Sequence, residues 1–346
     1  MFTSTTAVVL ALSALASATP ALVPITKYAG PTKADSYIIK LKEGVSKPSH
    51  IARLLSEIQG KDSSITYKAS MSQTQMKGSV LDFIRKSSDV EYIEADTIWQ
   101  LDYEGASAEE FEERSEPVSP VAGLAARATG GAGVVVYGID TGIYTAHSAF
   151  GGRASWVPPM VDMLAQTAMV TERVHTAGTA VGTTYGIATQ ATIVAVKVCS
   201  DSGSCATSDI VSGVNYAYSQ FKSNGKPSVA TMSLGGSAST AIDSAVSTAI
   251  TGGLHFTIAA GNSNVDASTT SPARVAAANT IGAVDSSNAK ASFSNYGSVL
   301  DVWAPGVNIL SAYIASAKNM WGNFTELGRF RALVTISSNY VDYVQD

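Results

Sequence analysis

Cysteine is almost missing from this chain. Two occur in 346 residues, Cys199 and Cys205, six positions apart in the run Cys199-Ser-Asp-Ser-Gly-Ser-Cys205. No histidine stands near them in sequence, and the spacing matches no zinc site. Two readings of the pair stay open: a small loop disulfide, worth about 2 kcal/mol at this loop length, or two half-buried thiols. Clustered basic charge is missing too. With Lys+Arg 23 against Asp+Glu 28 the net charge is −5, and no cationic stripe exists to follow a phosphate backbone, so nucleic acid is excluded as an expected partner. Long hydrophobic runs are also lacking. The apolar run from Ala7 to Ala16 is about half of the roughly 20 residues that a membrane span needs, so no membrane partner is expected. It closes in Ala16-Ser17-Ala18, a hydrophobic segment followed by a small-residue cleavage site, although the usual basic residues before it are absent. Residues 1–18 therefore read as a signal peptide, and the expected location is secreted and extracellular.

What is present is an ordinary globular composition, 45% hydrophobic, enough for a sizeable core and for two domains. Tyr37 to Leu41 reads as a strand. Ser46 to Ile58 reads as an amphipathic helix, with Ile51, Leu54, Leu55 and Ile58 at helical spacing. A second cycle follows: a weak strand over Ile65 to Tyr67, a helix over Ser79 to Arg85, and a strand over Val90 to Ile93. Residues 36–101 form a small α+β unit on this pattern. Asp102 to Glu116 then carries seven acidic residues and one arginine, which reads as a solvated linker over 102–118 or an acidic surface loop.

From Gly133 onward buried-type strands alternate with Ala/Ser-rich helical stretches. The strands are Val134 to Ile139, Ile193 to Val198, Ser228 to Leu234 and Leu254 to Ala260; the helices are Ser208 to Lys222 and Thr240 to Thr251. Such alternation predicts an α/β fold with a doubly wound parallel sheet, its site at the carboxyl ends of the strands. Three of those ends run into Asp140-Thr-Gly142, Ser233-Leu-Gly-Gly236 and Ala260-Gly-Asn262. A carboxylate at a strand tip before a glycine turn suits the orienting of a histidine. By itself it is equally a helix cap.

The order of the motifs is more specific. Gly138-Ile-Asp140-Thr-Gly142, Ala177-Gly-Thr179 with Gly182-Thr-Thr-Tyr-Gly186, Ala195-Val-Lys-Val198, Ser233-Leu-Gly-Gly236, Ala259-Ala-Gly-Asn262, Phe293-Ser-Asn-Tyr-Gly297 and Ala304-Pro-Gly306 follow one another. Together they resemble the subtilisin-like serine peptidases of the proteinase K branch, over 133–314 apart from 154–174. Residues 36–101, with Val90-Glu-Tyr-Ile-Glu94, resemble that family's inhibitory propeptide. The peptidase domain then spans 119–314. The resemblance implies Asp140 as the triad aspartate and Asn262 as the amide donor of the oxyanion hole. It also implies Ser233, Leu234 and Gly235 as the edge along which substrate adds as a strand, and Ala259, Ala260 and Gly261 as lining for the residue before the scissile bond. Asp301 aligns with a calcium ligand, so no cofactor is required and a structural calcium is the one metal implied. The implied partners are polypeptide substrates or other subtilisin-like proteases.

The departures from the family pattern fall on the catalytic machinery. Where the family reads His-Gly-Thr-His-x-Ala-Gly-Thr, this chain reads Glu172-Arg-Val-His175-Thr-Ala-Gly-Thr179. Glu172 stands at the position of the general base. His175 is a candidate substitute, displaced three residues, about 4.5 Å along a helix axis. The serine motif due soon after Tyr313 is replaced by Lys318-Asn-Met-Trp-Gly-Asn-Phe324, and no Gly-Thr-Ser triplet occurs. Residues 315–346 form a divergent tail, truncating the fold that the family would complete; Asn323-Phe-Thr325 within it is a glycosylation acceptor pattern. The expectation is a subtilisin-like serine endopeptidase homologue with an incomplete triad that does not cleave peptides. The alternative is a noncatalytic binding or protease-inhibitory protein acting through its propeptide.

Overall fold

The computed structural model describes residues 22–58, 67–69, 72–75, 79–101, 130–157, 174–307, 309–312 and 319–322. The expected signal peptide, the acidic linker, Glu172, the Asn323 acceptor and most of the tail lie outside the described residues.

The N-terminal unit comprises β1 (Ile25–Thr26), β2 (Thr32–Leu41), α1 (Lys47–Ile58), β3 (Tyr67–Ala69), β4 (Ser72–Gln75), α2 (Ser79–Lys86) and β5 (Val90–Gln100). Its sheet runs β1-β5-β2-β4-β3, with β1 parallel and β2 antiparallel to β5. The unit therefore begins before residue 36, because Ile25 and Thr26 pair with Ile93 and Glu94. Its own core is Ile39, Leu54, Val80, Ile84, Val90 and Ile93. The strand expected over Val90 to Ile93 continues to Gln100. Beyond Ile93 it turns polar and buried, with Glu94 and Asp96 both at 0% exposure, and an apolar-run reading stops at such residues.

The larger unit contains β6 (Val135–Asp140), β7 (Ala154–Trp156), α3 (Val174–Val181), β8 (Thr192–Lys197), β9 (Ser204–Ala206), α4 (Thr207–Asn224), β10 (Ser228–Met232), β11 (Gly236–Ser237), α5 (Thr240–Thr251), β12 (His255–Ala259), β13 (Thr270–Ser271), β14 (Asn279–Val284), β15 (Val302–Pro305), β16 (Ile309–Ala312) and β17 (Asn319–Gly322). Seven strands form a parallel sheet in the order β15-β14-β12-β10-β6-β8-β7. The order reverses at β6, from which β8 lies on one side and β10 on the other. In an open α/β sheet such a reversal leaves a crevice at the carboxyl ends.

Both faces of the sheet are covered, which is why its strands read as continuous apolar runs. Along β6, Val135, Tyr137 and Ile139 join Ile210, Val214, Ile242 and Val246 of α4 and α5 in one core. Val136 points the other way, into the core that holds Val174, Ala177, Ala180 and Val181 of α3. Alternation along a strand sends successive side chains to opposite layers. Helix α4 lies so close to the sheet that a Cβ on Gly213 would stand 2.3 Å from Val198 Cγ1. Residues 309–312 and 319–322 pair as an antiparallel hairpin, and Ala312 packs into the α3 layer.

Candidate functional site

Asp140 closes β6, and Ser233 and Asn262 come just past the carboxyl ends of β10 and β12; the three strands are adjacent and parallel, so the topology brings all three residues to one edge of the sheet. Asp140 is 7% exposed, and its Oδ1 accepts the Thr141 N–H at 2.6 Å. The turn after it depends on Gly142. Its φ of +114° lies in the region that side chains avoid, and a Cβ there would stand 2.4 Å from Trp156 Cη2. A crevice of about 20 Å³, room for one water, is lined by Asp140, Gly142, Thr176, Ala177 and Ser233 among others.

His175 faces elsewhere. Its Nε2 lies 3.2 Å from Ile309 O, and its carbonyl accepts from Ser311 Oγ at 2.7 Å. The imidazole is thus turned toward β16, whereas the neighbouring Thr176 and Ala177 line the crevice beside Asp140.

Asn262 rides on a loop built by a residue that sequence reasoning quoted only as part of a motif, Asn295. Its side chain donates to Ala260 O at 2.8 Å and accepts from Ser263 N and Val265 N at 3.0 Å each, and its own N–H donates to Gly261 O. Gly261 has φ +104°, and its ideal Cβ would meet Asn295 Nδ2 at 2.4 Å. Glycine is therefore required for this packing. Of the remaining edge and pocket positions, Leu234, Ala259 and Ala260 are buried, and Gly235 sits beside Ser271 O. Asp301 Oδ2 accepts the Thr280 N–H at 2.7 Å. Among the described residues no group of three acidic, histidine or cysteine side chains gathers around it. A single carboxylate falls well short of the 6–8 oxygens that calcium takes.

The N-terminal unit's strand β5 packs next to the Ser233–Gly236 run, with Trp99 against Gly236. Strand β5 pairs antiparallel with β9, in the register Ile98 to Ala206, Trp99 to Cys205 and Gln100 to Ser204, and the Leu101 N–H continues the pairing to Gly203 O at 2.9 Å. Trp99 packs flat over Gly236, whose ideal Cβ would meet the indole at 2.7 Å. Trp99 and Leu101 belong to the core of the large unit rather than to their own.

Two buried carboxylates of β5 cap two helices of the large unit. Asp96 Oδ1 accepts from Ser208 N at 3.0 Å, and Oδ2 from Ser208 Oγ and Ser36 Oγ at 2.8 Å each. This serves the start of α4, whose N-cap Ala206 makes no side-chain cap bond. Glu94 Oε1 accepts from Ser239 Oγ at 2.5 Å, and Oε2 from Ala241 N at 3.0 Å, at the start of α5. A carboxylate at a helix N-terminus meets orphan N–H groups and the positive end of the dipole. Burial nevertheless pushes the Glu94 carboxyl above its ordinary range, against the pull of those hydrogen bonds. The same burial lifts the Tyr92 phenol to about 12. Neither cap is visible in sequence, since the partners are backbone groups more than a hundred residues away.

Cys199 and Cys205 are joined as a disulfide, which settles the open reading of that pair and places it directly beneath the β5–β9 pairing.

A parallel sheet with helices on both faces, a strand-end aspartate, an asparagine loop two strands away and an extended chain laid along the groove define the α/β architecture of a subtilisin-like serine peptidase. The chain belongs to the subtilase family: its residues 131–328 match the model of "Peptidase_S8: Subtilase family". It is 38% identical over 303 residues to Subtilisin-like protease 2 of Pseudogymnoascus destructans, covering 82% of this chain and 74% of that one. It is 35% identical over 306 residues to Proteinase R of Parengyodontium album, covering 85% and 76%. Among solved structures it is similar to a cold adapted subtilisin-like serine proteinase, with 41% identity and a TM-score of 0.56, covering 61% of this chain and 76% of that one. No helix among the described residues is long and apolar enough to cross a membrane.

Proposed function

We propose that this chain is a secreted subtilase that binds polypeptide rather than cutting it, its N-terminal unit remaining covalently attached and docked in its own groove. The observation that carries this reading is β5, paired edge to edge with β9 while its Glu94 and Asp96 cap α5 and α4. Two features of the sequence make the docking final. Acyl transfer in this family needs a neutral base that takes the serine proton and becomes cationic beside the aspartate. In the sequence Glu172 stands where the family pattern has that base, and an ordinary carboxyl is a weaker base than imidazole by about two pKa units. The run after Tyr313 lacks the Gly-Thr-Ser motif that carries the nucleophile in the family pattern. Loss of either the serine or the histidine of such a triad costs about six orders of magnitude in kcat.

Without a nucleophile the chain cannot sever the junction between its own units, and the N-terminal strand keeps the place a substrate would take. Its partners on this reading are active proteases of the same branch, whose grooves present the same kind of edge to β5. The test is labelling with a serine-directed phosphonate probe alongside hydrolysis of peptide substrates, using an active relative as the positive control. No label and no turnover above background are expected. Labelling together with turnover that a serine-directed inhibitor blocks would overturn the reading.

A further inference from the structure

Strand β9 is three residues long and stands outside the main sheet; β5 is the one strand it pairs with among the described residues, and Cys205 forms a single antiparallel bridge to Cys199. So short a strand has little stability of its own. Its shape is set by the loop behind it. The Cys199–Cys205 disulfide closes residues 199–205. Inside that ring Ser200 N donates to Ser204 O at 2.8 Å, Ser204 N to Ser200 Oγ at 3.0 Å and Gly203 N to Ser200 O at 3.0 Å. At its base, Lys197 donates from Nζ to Thr141 O and to Asp201 Oδ1, at 2.6 Å each, with only 8% of the residue exposed. Val198 N donates to Asp140 O at 2.7 Å. The sulfurs are buried, Cys199 at 0% and Cys205 at 1% exposure, in the cluster that receives Trp99 and Leu101.

We propose that the Cys199–Cys205 disulfide and the Lys197–Asp201 pair are positioning elements that hold β9 in register for an incoming extended polypeptide. This rests on the reading that β5 occupies the groove, and extends it by naming what makes the groove ready to receive a strand. The physical reason is entropy. An open seven-residue loop samples many shapes, and pairing with a strand would have to freeze it; closing the ring and anchoring it to the Asp140 turn removes that cost beforehand. Trp99 stands opposite Cys205 in the pairing, so loosening this loop would unseat the indole and the strand together.

Amide hydrogen exchange on the full chain tests this, because two N–H groups report the interface directly: Leu101, which donates to Gly203 O, and Ser208, which donates to Asp96 Oδ1. In the variant Cys199→Ser/Cys205→Ser both should exchange roughly 10- to 50-fold faster, the upper figure being the whole closure entropy of so short a loop. Amides of β10 should change by less than about twofold. Asp201→Asn, with the disulfide intact, should accelerate the same two amides by about threefold. Slow exchange at Leu101 in the parent chain that both variants leave unchanged overturns the inference alone. Equal acceleration throughout the sheet also overturns it, since the disulfide would then serve global stability. Free exchange at Leu101 in the parent chain itself would sink the docked reading and the inference with it.

Discussion

Replacing Asp96 with alanine removes an acceptor that joins three parts of the molecule. Its carboxylate receives Ser36 Oγ from β2, and Ser208 N and Oγ from α4, at 2.8 to 3.0 Å, and the residue is fully buried. The two hydroxyls can rotate toward other acceptors. The Ser208 N–H cannot, because the first N–H groups of a helix have no intrahelical partner and Ala206 offers no side-chain cap. Hydrogen bonds to a charged acceptor contribute about 1.5–3 kcal/mol each, and an orphaned buried donor costs about 1–3 kcal/mol. With partial recovery by the hydroxyls, Asp96→Ala should lower stability by about 3–5 kcal/mol. Asp96→Asn keeps an acceptor for Ser208 N and loses mainly the charge at the helix end, about 0.5–1 kcal/mol. Urea unfolding followed by circular dichroism gives both values, and amide exchange at Thr207 to Ile210 locates the loss. A cost for Asp96→Ala below about 1 kcal/mol, or one equal to that of Asp96→Asn, would refute the capping argument.

Glu94 predicts a pH dependence. A carboxyl raised by burial above its ordinary range near 4.5 adds stability that is fully present below that range and is lost as pH rises through the raised value. The parent chain should therefore lose stability relative to Glu94→Gln as pH rises from the ordinary carboxyl range through the raised value; a relative gain on that rise in urea midpoints would contradict the burial. Gly236→Ala should drive a methyl into the indole of Trp99 and weaken docking by about 1–3 kcal/mol, seen as a red-shifted Trp99 emission; an unshifted spectrum would show that the contact is looser than the geometry implies. The N-terminal unit, prepared as residues 22–101 so as to include β1, should inhibit an active proteinase K-type relative, and Asp96→Ala should leave that inhibition weaker. No inhibition at micromolar concentrations would count against the inhibitory reading.

Much of the fold was legible in sequence because the central strands are buried on both faces and read as unbroken apolar runs; α5 begins and ends at Thr240 and Thr251 as expected. Strand β9 was not, since Ser204-Cys-Ala206 carries no strand signal and takes its form from the ring that closes behind it. Strand β1 is hidden for a similar reason: Ile25–Thr26 is two residues long and takes its form by pairing with β5. Of the site, Asp140 and Asn262 stand out in sequence because Asp140 ends a strand two residues before Gly142 and Asn262 comes just past a strand, directly after Gly261. Glu94, Asp96 and Asn295 act on backbone groups distant in sequence, which no local pattern encodes. The placement of His175, with its ring toward Ile309, likewise depends on a strand more than a hundred residues away.

On the proposed reading the chain's own strand occupies the groove and the chain does not cut itself free. In this family the junction between the units is severed by the enzyme's own nucleophile and base, so the mass of the purified chain reports directly on both. Expressed in a host lacking secreted proteases, so that none is present to nick the acidic stretch Asp102 to Glu116, the protein should be recovered as one polypeptide spanning both units. A cut within 102–129 that disappears on Asp140→Ala would show that the chain processes itself, and would contradict the account.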